Sequence, residues 1–211
     1  MLKFDLVLAR LFKPIHYNLV FRRRIHVLVE HLSALIPQGM GLRGLDVGCG
    51  NGQLASLLQE KRPDIVLEGA EVIVRPDHYP IKVIPFDGKT LPLGDKSYDF
   101  VVLSDVLHHT SNPLALLKEC ARVTRSFILI KDHYCETRWD RIRLKFMDWA
   151  GNRQYDIPLP NNYLSKSEWI AFFEQSSLDV QETIVRLNLY PPLLGFLFEG
   201  SLHFISKLKV N

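Results

Sequence analysis

The period of the hydrophobic positions changes several times along the chain, and each change marks an element. Ile25, Leu28, Val29, Leu32, Leu35 and Ile36 recur at helical spacing, and Pro37, Gly39 and Gly41 close the run. An earlier helix is expected before it, separated near Pro14. Leu45 and Val47 then read as a short buried strand, while Leu54, Leu57 and Leu58 fall on one helical face. Residues 65–70, 82–85, 98–104 and 126–131 read as four further strands. Asn112 followed by Pro113 is a cap and first turn, and Leu114, Leu117 and Ala121 give that helix its apolar face. Strands alternating with helices predict an α/β fold, a doubly wound and mostly parallel sheet whose ligand sits at the strands' carboxyl ends.

The pattern loosens after residue 131. Trp139, Ile142, Phe146 and Trp149 have the spacing of an amphipathic helix, followed by a loop containing Pro158 and Pro160. Ser165 and Glu168 form a capping box that opens a helix through Phe173. Val185, Leu187 and Leu189 alternate with Arg186 and Asn188 as a strand would, and residues 203–210 read as the last strand. Between them lie Leu193, Leu194, Phe196, Leu197 and Phe198, nearly contiguous. Leaving such side chains in water forgoes about 1.5–3 kcal/mol each, so something should cover them. Either the N-terminal helices or Trp139 and Trp149 close a core over them, or they form an apolar pocket or membrane-facing lip.

Composition narrows the class. The 211 residues, 47% hydrophobic and 23% charged, suit one domain with a proper core. It divides into a helical cover (1–40), a ligand-binding core (41–131), an insertion (132–164) and a C-terminal helix with a strand hairpin (165–211). A net charge of +3 argues against a strongly electrostatic partner, and no long basic stripe with interleaved aromatics points to nucleic acid. The remainder of the chain carries −1 and residues 1–36 carry +4, from Lys3, Arg10, Lys13 and Arg22 to Arg24 against Asp5 and Glu30. That suits a docking helix with a solvated arginine face, or peripheral contact with a membrane surface. Cys49, Cys120 and Cys135 form no C-x-x-C pair, so a reducing, cytoplasmic setting is expected. Lys3, Asp5 and Arg10 interrupt the apolar start, so no signal peptide is expected.

Candidate chemistry begins at residues 44–58. Gly48, Gly50 and Gly52 separate the first strand from its helix, where positive φ or close backbone approach is wanted. The dinucleotide fingerprint G-x-G-x-x-G needs glycine at position 53, which is Gln53. The run is instead G-x-G-x-G, with Asp46 two residues ahead. This spacing resembles the first motif of the class I S-adenosylmethionine-dependent methyltransferases, and the likeness extends over roughly residues 40–135. Glu71 stands where the family's acidic residue binds both ribose hydroxyls, with Val72 against the adenine. Phe86-Asp87-Gly88, then Leu91-Pro92, resembles the adenine-contacting acid and the step that follows it. Ser104-Asp105-Val106-Leu107-His108-His109 is similar to the subgroup acting on small molecules and lipids. The resemblance implies a seven-stranded Rossmann-like sheet, S-adenosylmethionine as cofactor, and Asp46, Gly48, Cys49, Gly50, Glu71, Val72, Asp87, Gly88, Ser104 and Asp105 as its contacts. It implies no metal.

A methyl transferase must align its acceptor and exclude water, and a hydroxyl acceptor gains from a base. His133 is the first candidate and His109 the second, with Asp132 beside His133; each closes a strand on the expected cofactor side. His108 is read as packing or capping. The acceptor is expected to be small and apolar or lipid-like, such as a lipid, quinone or aromatic compound. Two other readings stand against this one: a methyltransferase-like binding or assembly subunit without turnover, and a nicotinamide oxidoreductase, which the glycine spacing disfavours.

Overall fold

The computed structural model of the chain describes residues 21–39, 41–74, 78–152 and 162–211. The expected first helix, with Lys3, Arg10 and Lys13, and the loop containing Pro158 and Pro160 lie outside them. Seven strands form one sheet: β1 (Leu42–Val47), β2 (Ile65–Glu71), β3 (Val83–Pro85), β4 (Tyr98–Ser104), β5 (Thr124–His133), β6 (Leu178–Val185) and β7 (His203–Val210). Their order is β3-β2-β1-β4-β5-β7-β6. The first five run parallel, β7 is antiparallel to β5, and β6 is antiparallel to β7.

The central strands are apolar on both faces because helices cover both. Val101, Leu103, Ile128 and Ile130 point to α3 (Pro113–Val123) and α5 (Lys166–Gln175), meeting Leu116, Leu117, Trp169 and Phe173. Phe100, Val102, Phe127 and Leu129 point to the opposite side, where Leu28 and Leu32 of α1 (Arg22–Leu35) and Leu58 of α2 (Gln53–Lys61) close over them. Gly44 of β1 has no room for a side chain, since a Cβ there would lie 2.3 Å from the Phe100 ring. Phe100 can therefore lie flat across the sheet, stacked on Phe127 with centroids 5.3 Å apart. The caps expected for α3 and α5 are present: Asn112 accepts from Ala115 N–H, and Ser165 and Glu168 exchange bonds. Arg62 ties α1 to the sheet by donating to the carbonyls of Ser33, Ile36 and Pro37 and to both Asp64 oxygens.

Three expectations change. The strand expected around Val185 to Leu189 lies earlier, at β6, and only Val185 belongs to it. Leu187 and Leu189 are buried in an irregular segment where Arg186 and Asn188 both take φ of 59°. The 190–200 connection contains a short helix, α6 (Pro192–Phe198). The helix expected from Trp139 onward forms as α4 (Arg138–Asn152), but its four large apolar residues face outward. Among the described residues no helix is long and apolar enough to cross a membrane.

Candidate active site

Two clusters of polar groups lie at the carboxyl end of the parallel strands. The first surrounds the turn from β1 into α2. Gly48, Gly50 and Gly52 all take positive φ, at 72°, 59° and 76°. The positions differ in what a side chain would meet. At Gly48 a Cβ would come within 2.6 Å of Val106, whereas at Gly50 it would meet nothing within 4 Å. Gly50 thus borders open space, a cradle that only a glycine leaves clear. Its N–H donates to Glu71 Oε2 at 2.6 Å, while Glu71 Oε1 accepts from Val72 and Ile73 N–H. Gly48 and Cys49 N–H both bond Ala70 O, so the loop is strapped to the end of β2.

Val72 is half exposed, and a Cβ on Gly88 would sit 3.4 Å from its Cγ2. The ends of β2 and β3 therefore approach as two walls of one slot. Asp87 stands exposed beside it, its Oδ1 accepting from Lys89 and Thr90 N–H, which holds the carboxyl below its usual range. Beneath the loop Asp46 is buried, its Oδ2 without a hydrogen-bond partner. Burial, aided by Glu71, pushes its pKa up to about 7. The Cys49 thiol, buried near the same two acids, is pushed far up and is no nucleophile. Glu71 at the end of β2 is placed to serve a ribose in either class of ligand, so the dinucleotide reading is opposed by the glycine spacing alone.

The second cluster gathers the ends of β4 and β5 with α1 and α4. Asp105, at φ 59°, accepts from Lys131 and from Arg24 Nη2, the latter at 3.1 Å. Burial alone would raise its pKa, but Lys131 and Arg24 overcome this and hold the carboxyl well below its usual range. Arg24 therefore points into the cluster and is not available to an anionic surface. Asp132 is 1% exposed, and its Oδ1 accepts from His108 Nδ1 at 2.7 Å and from the His133 backbone N–H at 2.8 Å. The His133 ring is more distant, its Nδ1 3.3 Å from that oxygen. Asp132 is thus chiefly the partner of His108. His108 Nε2 faces Asp148 of α4 at 3.6 Å, and Asp148 accepts from Tyr163.

These contacts separate the three histidines. Burial would lower the His108 pKa, but Asp132 and Asp148 prevail and raise it to about 10, so the ring is an imidazolium. His133 is fully enclosed and neutral, its pKa driven well down by burial and by Lys131. His109 is half-buried and also neutral, lowered to about 4 by burial and by His108, whose ring centroid is 4.0 Å away. The carboxylates Asp105 and Asp132 are matched by side-chain cations, although two trios, His108–Asp132–His133 and His108–His109–Asp148, place ligand atoms within 4.8 Å of one another. His108, Lys131, Arg24, Asp148 and Tyr163 were not singled out from the sequence as site residues. The one available signal was the apolar run Phe127–Ile130 of β5 ending in Lys131-Asp132-His133.

The sheet order, the reversed last strand and the glycine turn define a class, the Rossmann-like methyltransferase fold. Residues 45–127 match the family model described as a methyltransferase domain. An uncharacterized protein of Methanocaldococcus jannaschii is 32% identical over 109 residues, 51% of this chain and 48% of its own. The 27-O-demethylrifamycin SV methyltransferase of Amycolatopsis mediterranei is 29% identical over 110 residues, 46% of this chain and 40% of its own. A solved SAM-dependent methyltransferase of Thermotoga maritima superposes with a TM-score of 0.64 at 19% identity, covering 95% of this chain and 96% of that one. The chain spans half or less of the length of these two curated relatives. Residues 45–127 thus carry a methyltransferase domain, and the chain shares the fold of S-adenosylmethionine-dependent methyltransferases, whose cofactor is S-adenosylmethionine.

Proposed function

We propose that this protein transfers the methyl group of S-adenosylmethionine to a small acceptor with a large apolar part. The observation that carries the reading is the meeting, at one end of the sheet, of a carboxylate-lined glycine cradle and a histidine cluster rimmed by apolar helices. Bound there, the cofactor supplies an electrophilic sulfonium methyl. Gly48, Cys49 and Gly50 would lie under its carboxypropyl part, with Asp46 below. Glu71 would accept from the ribose hydroxyls, Val72 and Gly88 would enclose the adenine, and Asp87 would accept from its amino group. Ser104 and Asp105 would border the methyl end.

On this reading the chain's own contribution is alignment and proton acceptance. His109 is a neutral, partly exposed imidazole that can accept a hydrogen bond from an acceptor hydroxyl, as a weak base whose proton affinity burial and His108 lower. His133 is neutral too, but it lies behind Asp105 and is nearly sealed. We therefore rank His109 first as base and His133 second, reversing the order expected from sequence. The fixed His108–Asp132 pair would hold the floor on which both rings rest. The Amycolatopsis relative, named for methyl transfer to 27-O-demethylrifamycin SV, agrees with an oxygen acceptor. The apolar side chains of α4 and α6 support the acceptor class.

The test is release of S-adenosylhomocysteine from the cofactor with a panel of phenols and hydroxyls of graded alkyl length. Turnover should rise with chain length, and His109→Ala should cost roughly 10²–10⁴ in rate without changing cofactor affinity. Best turnover with short polar acceptors would overturn the acceptor class. A wild-type rate in both His109→Ala and His133→Ala would leave alignment alone as the mechanism.

A further inference from the structure

Helix α4 sorts its residues opposite to a helix that serves only to pack. Its two acids turn inward: Asp140 and Asp148 are each 8% exposed, the first bonded to Thr137 and Arg143 and the second to Tyr163. Leu144 is fully buried between them. Outward stand Trp139, Ile142 and Phe146, each more than half exposed, with Trp149 one turn further along. Arg138, Arg141 and Lys145 are exposed beside them, and Arg143 is half buried. The outer face therefore combines aromatic bulk with charge of one sign.

Helix α6 extends the same surface. Arg143 Nη1 donates to Leu197 O at 2.9 Å, and the Phe146 and Phe198 rings stack with centroids 6.0 Å apart. Phe196, 88% exposed, is the most exposed large hydrophobic residue of those described. Contiguous apolar side chains of this size mark an interaction surface. Its charge selects the partner. A symmetric dimer through this face would set Arg138, Arg141 and Lys145 against their own copies, which is repulsive. An anionic lipid surface is complementary to both parts: aromatic and aliphatic side chains enter the headgroup boundary, and the cations remain at the phosphates.

We propose that the outer face of α4 with the tip of α6 docks the protein in the plane of an anionic bilayer. The inference rests on the apolar-acceptor reading above, and it supplies the surface by which such an acceptor would be reached. Because Asp148 of α4 also faces His108, docking would set the site cluster directly behind the membrane-facing helix. Of the basic residues of α1 expected to meet head groups, Arg24 is bound to Asp105, and the cations of α4 take its place in this proposal.

The experiment is cosedimentation with sucrose-loaded vesicles of phosphatidylcholine alone, or with a third of it replaced by phosphatidylglycerol. The protein should bind the mixed vesicles far more tightly, and binding should weaken as salt rises. R138Q/R141Q/K145Q should lower partition into the mixed vesicles by roughly 100-fold, with unchanged thermal melting. I142D/F146D should lower it for either vesicle, whereas V66D/V180D, on exposed apolar sites elsewhere, should not. Equal binding by the charge triple variant, or no partition into either vesicle, overturns the proposal. So does a concentration-dependent dimer that I142D/F146D dissolves, because the face would then belong to a second copy. Methyl transfer to a soluble lipophilic acceptor, measured without vesicles, reports on the function separately. Turnover without docking would sink only this inference, and docking without turnover only the proposed function.

Discussion

Glu71 gives the sharpest prediction about the cofactor. Its carboxylate holds Gly50 N–H at 2.6 Å and two N–H groups of its own turn at 2.9 and 3.2 Å. Oε1 is filled by the two N–H groups of its own turn, and Oε2 keeps a lone pair that a ribose hydroxyl can use. Glu71→Ala therefore removes a charged acceptor from the ligand and also releases the cradle at Gly50. The loss of a charged hydrogen-bond partner costs about 1.5–3 kcal/mol, and at about 1.4 kcal/mol per tenfold this weakens binding roughly 10–150-fold. Glu71→Gln can keep one acceptor oxygen for the Gly50 N–H and the ribose but turns an NH₂ on the Val72 and Ile73 N–H groups, so it should fall between wild type and Ala. Titration calorimetry with S-adenosylhomocysteine, which cannot react, measures all three proteins. Thermal melting should move little, because the bonds lost lie at a loop rather than in the core. Unchanged affinity in Glu71→Ala would refute the assignment of this carboxylate, and with it the registry of the cofactor site.

Three further outcomes follow from the same geometry. Gly50→Val should abolish cofactor binding in a folded protein, since its side chain would enter open space, whereas Gly48→Val should destabilise the fold by driving into Val106; melting and calorimetry distinguish them. Asp46 has a folded pKa of about 7, raised above its ordinary 3.8, so its contribution to stability is present in acid and is lost as pH rises from the ordinary value through 7; Asp46→Asn should flatten that decline over this window, and an unchanged melting profile would contradict it. His108→Ala should destabilise the protein by about 3–5 kcal/mol, because it leaves Asp132 buried without its cation; denaturant unfolding reads this, and a loss under 1 kcal/mol would count against the ion pair.

The parallel half of the molecule was legible in the sequence because buried strands and glycine turns leave local signals. β4 was read with its observed bounds, and β2 and β5 differed only at their ends. The C-terminal half was less legible for identifiable reasons. β6 is an edge strand with a mostly exposed face, so Leu178–Val185 lacks a clear apolar alternation. Leu187 and Leu189 alternate with polar residues but are buried by an irregular segment, which periodicity cannot distinguish from a strand. On α4 the spacing gave the helix correctly, yet the usual rule that large apolar residues face inward failed. That failure is itself the evidence for a partner surface. The glycine cradle was visible as a motif, whereas the pairing of His108 with Asp132 depends on β4 and β5 lying side by side. Neighbours on a strand point apart, so the adjacency of Asp132 and His133 does not make a dyad, and the sheet supplies His108 as the aspartate's partner.

The central claim is that this chain turns over S-adenosylmethionine rather than merely holding it. Incubation with cofactor tritiated in the methyl group, against the panel of alkyl-graded hydroxyl acceptors, measures that directly. The account predicts label in the acceptor with an equal yield of S-adenosylhomocysteine, rising with alkyl length and lost in Gly50→Val. Tight binding of the cofactor with no label transferred to any acceptor would contradict it, and would mark the protein as a binding or assembly subunit on a methyltransferase fold.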